Sequence, residues 1–140
     1  MINVLVDSGF WFALYDEHDS YHAYAIDIAE YLNNNIVIIP FPTLYESINT
    51  RFMKNRIARN EFANILKKDN IKIVNDESIK DDALKITFND ENKKRNLSLV
   101  DNIIRLILDD VNYKIDYLIT FNKRDFIDVC QKRNIKILEK

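Results

Sequence analysis

Three acidic residues and one amide hold the positions in this chain from which chemistry is most easily built: Asp7, Glu46, Asp101 and Asn122. Asp7 immediately follows the apolar run 2–6, and Asn122 comes two residues after the run 117–120. Glu46 and Asp101 fall in the first turns of two stretches with helical apolar spacing, which begin after Pro42 and after Leu97. The Glu46 helix directly follows a strand, so all four positions can converge at one end of a sheet although they are far apart in sequence. Gathering carboxylates is costly. Two unit charges ~4 Å apart repel by ~4 kcal/mol at an effective dielectric of about 20, and a fold keeps such a group only with a proton or a cation between the charges. Oxygen-only ligands select the hard cations Mg²⁺ or Mn²⁺. Carboxylate-held Mg²⁺ keeps waters and takes up phosphate oxygens, so the chemistry in prospect is phosphodiester hydrolysis by a metal-activated water. It requires no Ser, Cys or His nucleophile.

Each of these residues also has a plainer reading. Thr43–Glu46 and Ser98–Asp101 both have the spacing of a capping box, and a helix N-terminus favours any carboxylate. Asp7 can cap the helix after it, and Asn122 can serve a turn. Taken together the plain readings fare worse, because nothing makes four caps share one edge of a sheet. Ser8 and Thr120 are placed to hydrogen-bond the carboxylates from behind, a role that tunes metal sites, and ordinary capping and strand-end bonding accounts for them equally well. Asp125, one turn past Asn122, is a further candidate in the surroundings of the site. His18 and His22 are four apart, but only Asp16 and Asp19 accompany them; solvent-facing loop histidines are expected rather than a zinc site. Arg51 and Lys54 (with Arg56 and Arg59), Lys94 and Arg95 (after Lys93), and Lys123 and Arg124 form basic stretches beside the acids. They either grip phosphates or form solvated faces.

The elements that must position these residues alternate. Strands are expected at 2–6, 36–39, 71–74, 117–120 and 135–138. Helices are expected at 8–15, 21–32, 43–53, 57–66, 77–88, 99–111 and 125–133, with a polar loop at 89–96. Strands alternating with helices imply a single α/β domain over 1–140, a three-layer α/β/α sandwich around a parallel sheet. Right-handed crossovers place the strand carboxyl ends along one edge, where open sheets of this kind bind ligands. The bulky run Phe10, Trp11, Phe12, Leu14, Tyr15 belongs mostly to the core, and Cys130 is a passive residue of the last helix.

Composition narrows the function classes. With Gly9 as the sole glycine, no P-loop or dinucleotide fingerprint can be written. The net charge of −2 does not advertise a nucleic-acid binder, an objection that weakens if the acids surround a cation. One cysteine cannot form an internal disulfide, which points to a reducing, cytoplasmic setting. No apolar run approaches the ~20 residues of a membrane span. A receiver-type signalling domain needs adjacent acids after the first strand, and an Asp-x-Asp phosphatase needs an acid where Gly9 stands; Val6-Asp7-Ser8-Gly9 satisfies neither.

Val4-Leu5-Val6-Asp7-Ser8-Gly9-Phe10-Trp11, Pro42-Thr43-Leu44-Tyr45-Glu46, Leu97-Ser98-Leu99-Val100-Asp101 and Leu118-Ile119-Thr120-Phe121-Asn122-Lys123-Arg124-Asp125-Phe126 resemble, in order and spacing, the four acidic segments of the PIN domains. Within that family they are most similar to the VapC-like toxin ribonucleases of toxin–antitoxin pairs. The resemblance spans nearly the whole chain. It implies a parallel sheet, Mg²⁺ or Mn²⁺ held by Asp7, Glu46 and Asp101, cleavage of RNA, an antitoxin protein as partner and a homodimer. Asn122 stands where many members carry Asp; its amide oxygen can ligate or orient water but brings no charge, which implies one firm metal and a weaker second. Two other readings remain: a PIN-fold scaffold with weak catalysis, and a structure-specific DNA nuclease.

Overall fold

The computed structural model of the chain describes residues 1–89 and 96–138. Five strands form one sheet: β1 (Asn3–Val6), β2 (Ile36–Pro40), β3 (Ile71–Val74), β4 (Tyr117–Ile119) and β5 (Lys136–Leu138). Their order is β3-β2-β1-β4-β5, and every pairing is parallel. Leu5 at the centre stands beside Ile38 on one side and Leu118 on the other. Successive strand side chains point to opposite faces, and β1 shows it. Val4 and Val6 join the core cluster that contains Phe10, Ala25 and Phe62. Leu5 joins the one that contains Ile104, Leu108 and Phe126. The first cluster is covered by α1 (Ser8–Tyr15), α2 (His22–Leu32) and α5 (Arg56–Leu66), the second by α6 (Lys80–Thr87), α7 (Leu99–Asp109) and α8 (Ile127–Lys132). The architecture is the expected three-layer sandwich with two separate cores.

Topology decides where a site can form. From β1 the chain moves outward to β2 and β3, then returns to β4 on the other side of β1. The strand order therefore reverses at β1. A crevice opens at such a switch point, outside the carboxyl ends of the two diverging strands. Asp7 and Thr120 are the residues that follow those two ends.

Local chemistry moved several expected boundaries. The single helix expected over 43–53 is two, α3 (Phe41–Ser47) and α4 (Thr50–Met53). Asn49 makes the break: its side chain caps α4 by accepting from the Phe52 N–H at 2.9 Å, while its amide donates to the Glu46 carbonyl at 2.9 Å. The earlier start of α3 reflects Pro42, which lies inside the first turn, where its missing N–H costs nothing. The last helix is likewise preceded by a separate 3-10 turn, Lys123–Asp125. It closes on Asn134, held at φ 57° in the left-handed region that asparagine tolerates. The basic residues Lys93, Lys94 and Arg95 lie outside the described residues.

Candidate active site

The site is built outward from Asp7. Its backbone N–H still bonds the Ile119 carbonyl at 3.0 Å, so the residue is pinned between β1 and β4, and it is only 5% exposed. Its Oδ1 accepts the Ser8 N–H at 2.7 Å, capping α1. Its Oδ2 accepts the Thr120 hydroxyl at 2.9 Å, and Thr120 Oγ1 in turn accepts the Asn122 N–H at 3.1 Å. Asp7 thus performs its capping role while buried at the switch point, so the cap does not face solvent.

Glu46 reaches the same place from α3. Ser8 Oγ donates to Glu46 Oε1 at 2.8 Å and lies 3.4 Å from Asp7 Oδ1. The capping box expected for Thr43 and Glu46 does not form. Helix α3 starts at Phe41, and Thr43 donates its hydroxyl to the Pro40 carbonyl at 2.7 Å, which leaves Glu46 available to Ser8. The Ser98–Asp101 box does form: Ser98 Oγ accepts the Asp101 N–H at 3.1 Å, and Asp101 Oδ2 accepts the Ser98 N–H at 3.2 Å.

The acids act on one another through space. Burial, first, pushes the Asp7 carboxyl up from 3.8 to about 6; the Thr120 and Ser8 hydrogen bonds oppose this, and the charges of Asp101 and Glu46 add to it. Both distant acids therefore stand near enough to disfavour a charge on Asp7. Every donor that these residues and the hydroxyls of Ser8 and Thr120 offer is an oxygen, the kind that hard divalent cations take. As placed, no three carboxylate, imidazole or thiol side chains among the described residues converge on one point. Glu46 is turned to Ser8, and Asp101 to the Ser98 N–H as part of its capping box.

Asn122 is exposed and offers its backbone, not its side chain, to the turn. Lys123 and Arg124 are exposed on the 3-10 turn directly after it, and Asp125 enters through its main chain, its carbonyl accepting from Arg105 Nη1 at 2.8 Å. Arg51 and Lys54 are exposed at α4. Two features of this region were not anticipated. Phe121 stacks face to face on Tyr21, with ring centroids 4.1 Å apart, which braces the segment between Thr120 and Asn122. Arg105, four residues after Asp101, grips the turn beyond. A cation inside the otherwise apolar stripe of 103–108 was its only trace in the sequence.

The aromatic run on α1 divides. Phe10 and Trp11 are buried, while Phe12 is 40% exposed. Trp11, Phe12 and Tyr15 line a groove of about 870 Å³ whose rim carries Asp16, Glu17, Asp19, Glu61 and one arginine, Arg51. The expectation for the histidines holds for His18 only. His22 opens α2, half-buried, with Nδ1 2.7 Å from the Ala13 carbonyl. Cys130 is buried on α8, and desolvation pushes its thiol up to about 11, so it stays protonated.

No family model matches the chain, and no curated protein matches it either. A solved structure does. The sarcin-ricin-loop-cleaving toxin VapC20 of Mycobacterium tuberculosis superposes with a TM-score of 0.70 over 89% of this chain and 94% of that one, at 17% identity. The chain has the PIN-like fold. At that identity the match speaks for the backbone, and the acids of the PIN-like fold must be judged here by their own geometry. No helix among the described residues is long and apolar enough to cross a membrane.

The displacement of Asp7 has a thermodynamic sign. A carboxyl raised in the folded state favours folding below its unfolded value near 3.8, and that contribution is lost as pH rises through about 6. The difference is worth about 3 kcal/mol. In EDTA at pH 8, Asp7→Asn is expected to unfold at higher urea concentration than the parent, and the advantage should vanish near pH 4. A variant equally destabilised at both pH values would show that Asp7 carries no such strain.

Proposed function

We propose that this chain is a divalent-metal-dependent endoribonuclease. The observation that carries the reading is the buried Asp7 carboxylate at the switch point, opposed by the charges of Glu46 and Asp101. Such a cluster is worth its electrostatic cost only where a cation relieves it. Asp7, Asp101 and Glu46 would hold Mg²⁺ or Mn²⁺, which when bound supplies an activated water and stabilises the leaving oxygen. The chain's own residues set the stage for that. Ser8 N–H and Thr120 Oγ1 fix the orientation of Asp7, each using one lone pair of its carboxylate oxygens and leaving the other available. Ser8 keeps its hydroxyl proton on Glu46 Oε1 and so holds that acid near Asp7. Asn122 offers a neutral amide at the rim, and Lys123 and Arg124 on the following turn suit phosphate oxygens. VapC20 is described as a toxin that cleaves the sarcin-ricin loop, and this supports RNA rather than DNA as the substrate class in our reading.

The reading includes a protein partner that quiets the activity. The groove beside α1 suits one that brings a basic, partly apolar segment, since aromatic rings form its floor and four carboxylates against one arginine form its rim.

Two experiments check these statements. In the first, labelled RNA and DNA oligonucleotides are incubated with Mn²⁺ or Mg²⁺, beside lanes with EDTA or with Asp101→Asn purified identically. RNA cleavage that EDTA abolishes and Asp101→Asn lowers by about 100-fold or more is expected, since even residues behind a ligand cost 10–100-fold. Undiminished cutting by Asp101→Asn would remove that acid from the site, and cutting of DNA alone would make the chain a DNA nuclease. In the second, a partner that inhibits the chain is expected to bind Asp19→Lys/Glu61→Lys about tenfold or more weakly, with cleavage by the variant itself unchanged. Unchanged affinity would move the docking face elsewhere.

A further inference from the structure

Arg105 joins two parts of the site that the sequence keeps apart. It lies one helical turn beyond Asp101 on α7, on the same side of the helix and ~6 Å along its axis. Its side chain is 21% exposed. Nη1 and Nη2 donate to Asp128 Oδ1 and Oδ2 at 2.7 and 2.8 Å, a two-pronged carboxylate contact, and Nη1 also donates to the Asp125 carbonyl at 2.8 Å.

That carbonyl belongs to a turn tied directly to Asp7. The Asp125 N–H bonds the Asn122 carbonyl at 3.0 Å. The Asn122 N–H bonds Thr120 Oγ1 at 3.1 Å, and Thr120 donates to Asp7 Oδ2 at 2.9 Å. An unbroken series of hydrogen bonds therefore runs from the helix that carries Asp101 to the carboxylate of Asp7.

Stability alone is a poor reason for this arginine. Asp128 is half exposed, which screens the pair, and the pair by itself does not require the further bond to the Asp125 carbonyl. On its face of α7 Arg105 stands between Asp101 and Asp109, one turn to either side, at the border of the buried Ile104 and Leu108. The fork of a guanidinium does what an aliphatic residue or a lysine cannot: it satisfies both carboxylate oxygens and a main-chain carbonyl in one plane. Asp128 orients the fork, and the third bond fixes the turn.

We propose that Arg105 is a positioning residue, which sets the placement of the Thr120–Asn122 segment, and with it Asp7, relative to Asp101. The inference rests on the reading of Asp7 and Asp101 as one site, and it adds a control on their separation that acts without touching substrate or metal.

The test uses Arg105→Met, which keeps the stem, Arg105→Lys, which keeps the charge, and Asp128→Asn, which loosens the fork. The first readout is amide hydrogen exchange at Asn122 and Thr120 in the metal-free protein. The second is direct Mn²⁺ titration by calorimetry, and the third is kcat and KM for RNA. Exchange at Asn122 is expected to rise about tenfold in Arg105→Met, the equivalent of ~1.4 kcal/mol, while amides in the central strand β1 stay unchanged. Mn²⁺ binding should weaken and kcat fall with KM unaltered, with partial recovery in Arg105→Lys. If Arg105→Met does not fold, Asp128→Asn should show the same ordering of effects at smaller size. Folded variants with unchanged exchange at Asn122 and unchanged Mn²⁺ affinity would overturn the proposal. The exchange measurement uses neither metal nor RNA, so a chain that cuts nothing still tests the coupling, and failure of the nuclease reading stays distinguishable from failure of this one.

Discussion

The structure depends on a carboxylate placed where water cannot reach it freely. Asp7 follows the central strand, whose residues are buried on both faces of the sheet, so its charge must be met by the protein or by something the protein binds. The protein meets it in part. The Ser8 N–H and the Thr120 hydroxyl each stabilise the ionised form, yet burial outweighs them and the carboxyl titrates near 6. Glu46 and Asp101 make the imbalance worse. A fold shaped for stability alone would have an asparagine or an apolar residue at position 7, since an uncompensated buried charge is among the costlier features a chain can carry.

That constraint organises the surrounding elements. Helix α3 begins early, at Phe41, which sets Glu46 on the side where Ser8 can reach it. Helix α7 is capped by Ser98, whose N–H takes Asp101 Oδ2 and parks that acid at the rim. The segment after β4 is braced on one flank by Tyr21 under Phe121 and on the other by Arg105. The same segment supplies Thr120, the strongest side-chain support of the Asp7 anion. Each element contributes one polar group to a small region, and each is anchored by its own apolar face in one of the two cores.

Much of this was legible in the chain. Five short apolar runs alternating with amphipathic stretches are sufficient to imply a parallel sheet, and an acid one residue past a buried strand has few places to go except the carboxyl edge. What was not legible depends on side chains choosing between partners. Thr43 has the spacing of a cap but bonds Pro40 instead, because the helix expected to begin after Pro42 includes that proline in its first turn and starts at Phe41. Asn49 breaks a helix whose apolar periodicity continues straight through it. His22 falls in the expected helix but is half-buried against the Ala13 carbonyl instead of facing solvent. Arg105 could not be assigned from spacing, because its partners lie 20 and 23 residues away and are set by tertiary packing. The PIN-like backbone confirms the frame, while the roles of the acids rest on the geometry at Asp7.

The central claim, that the acids form a strained group awaiting a cation, is tested most directly by titrating the side-chain carboxyl carbon of Asp7 by NMR, once in EDTA and once in saturating Mg²⁺. The account expects a midpoint near 6 without metal and a clear fall with it, because a bound cation favours the anion. A midpoint near the ordinary 3.8 in both conditions would contradict it: Asp7 would then be a well-solvated helix cap, and neither Glu46 nor Asp101 would have any electrostatic business with it.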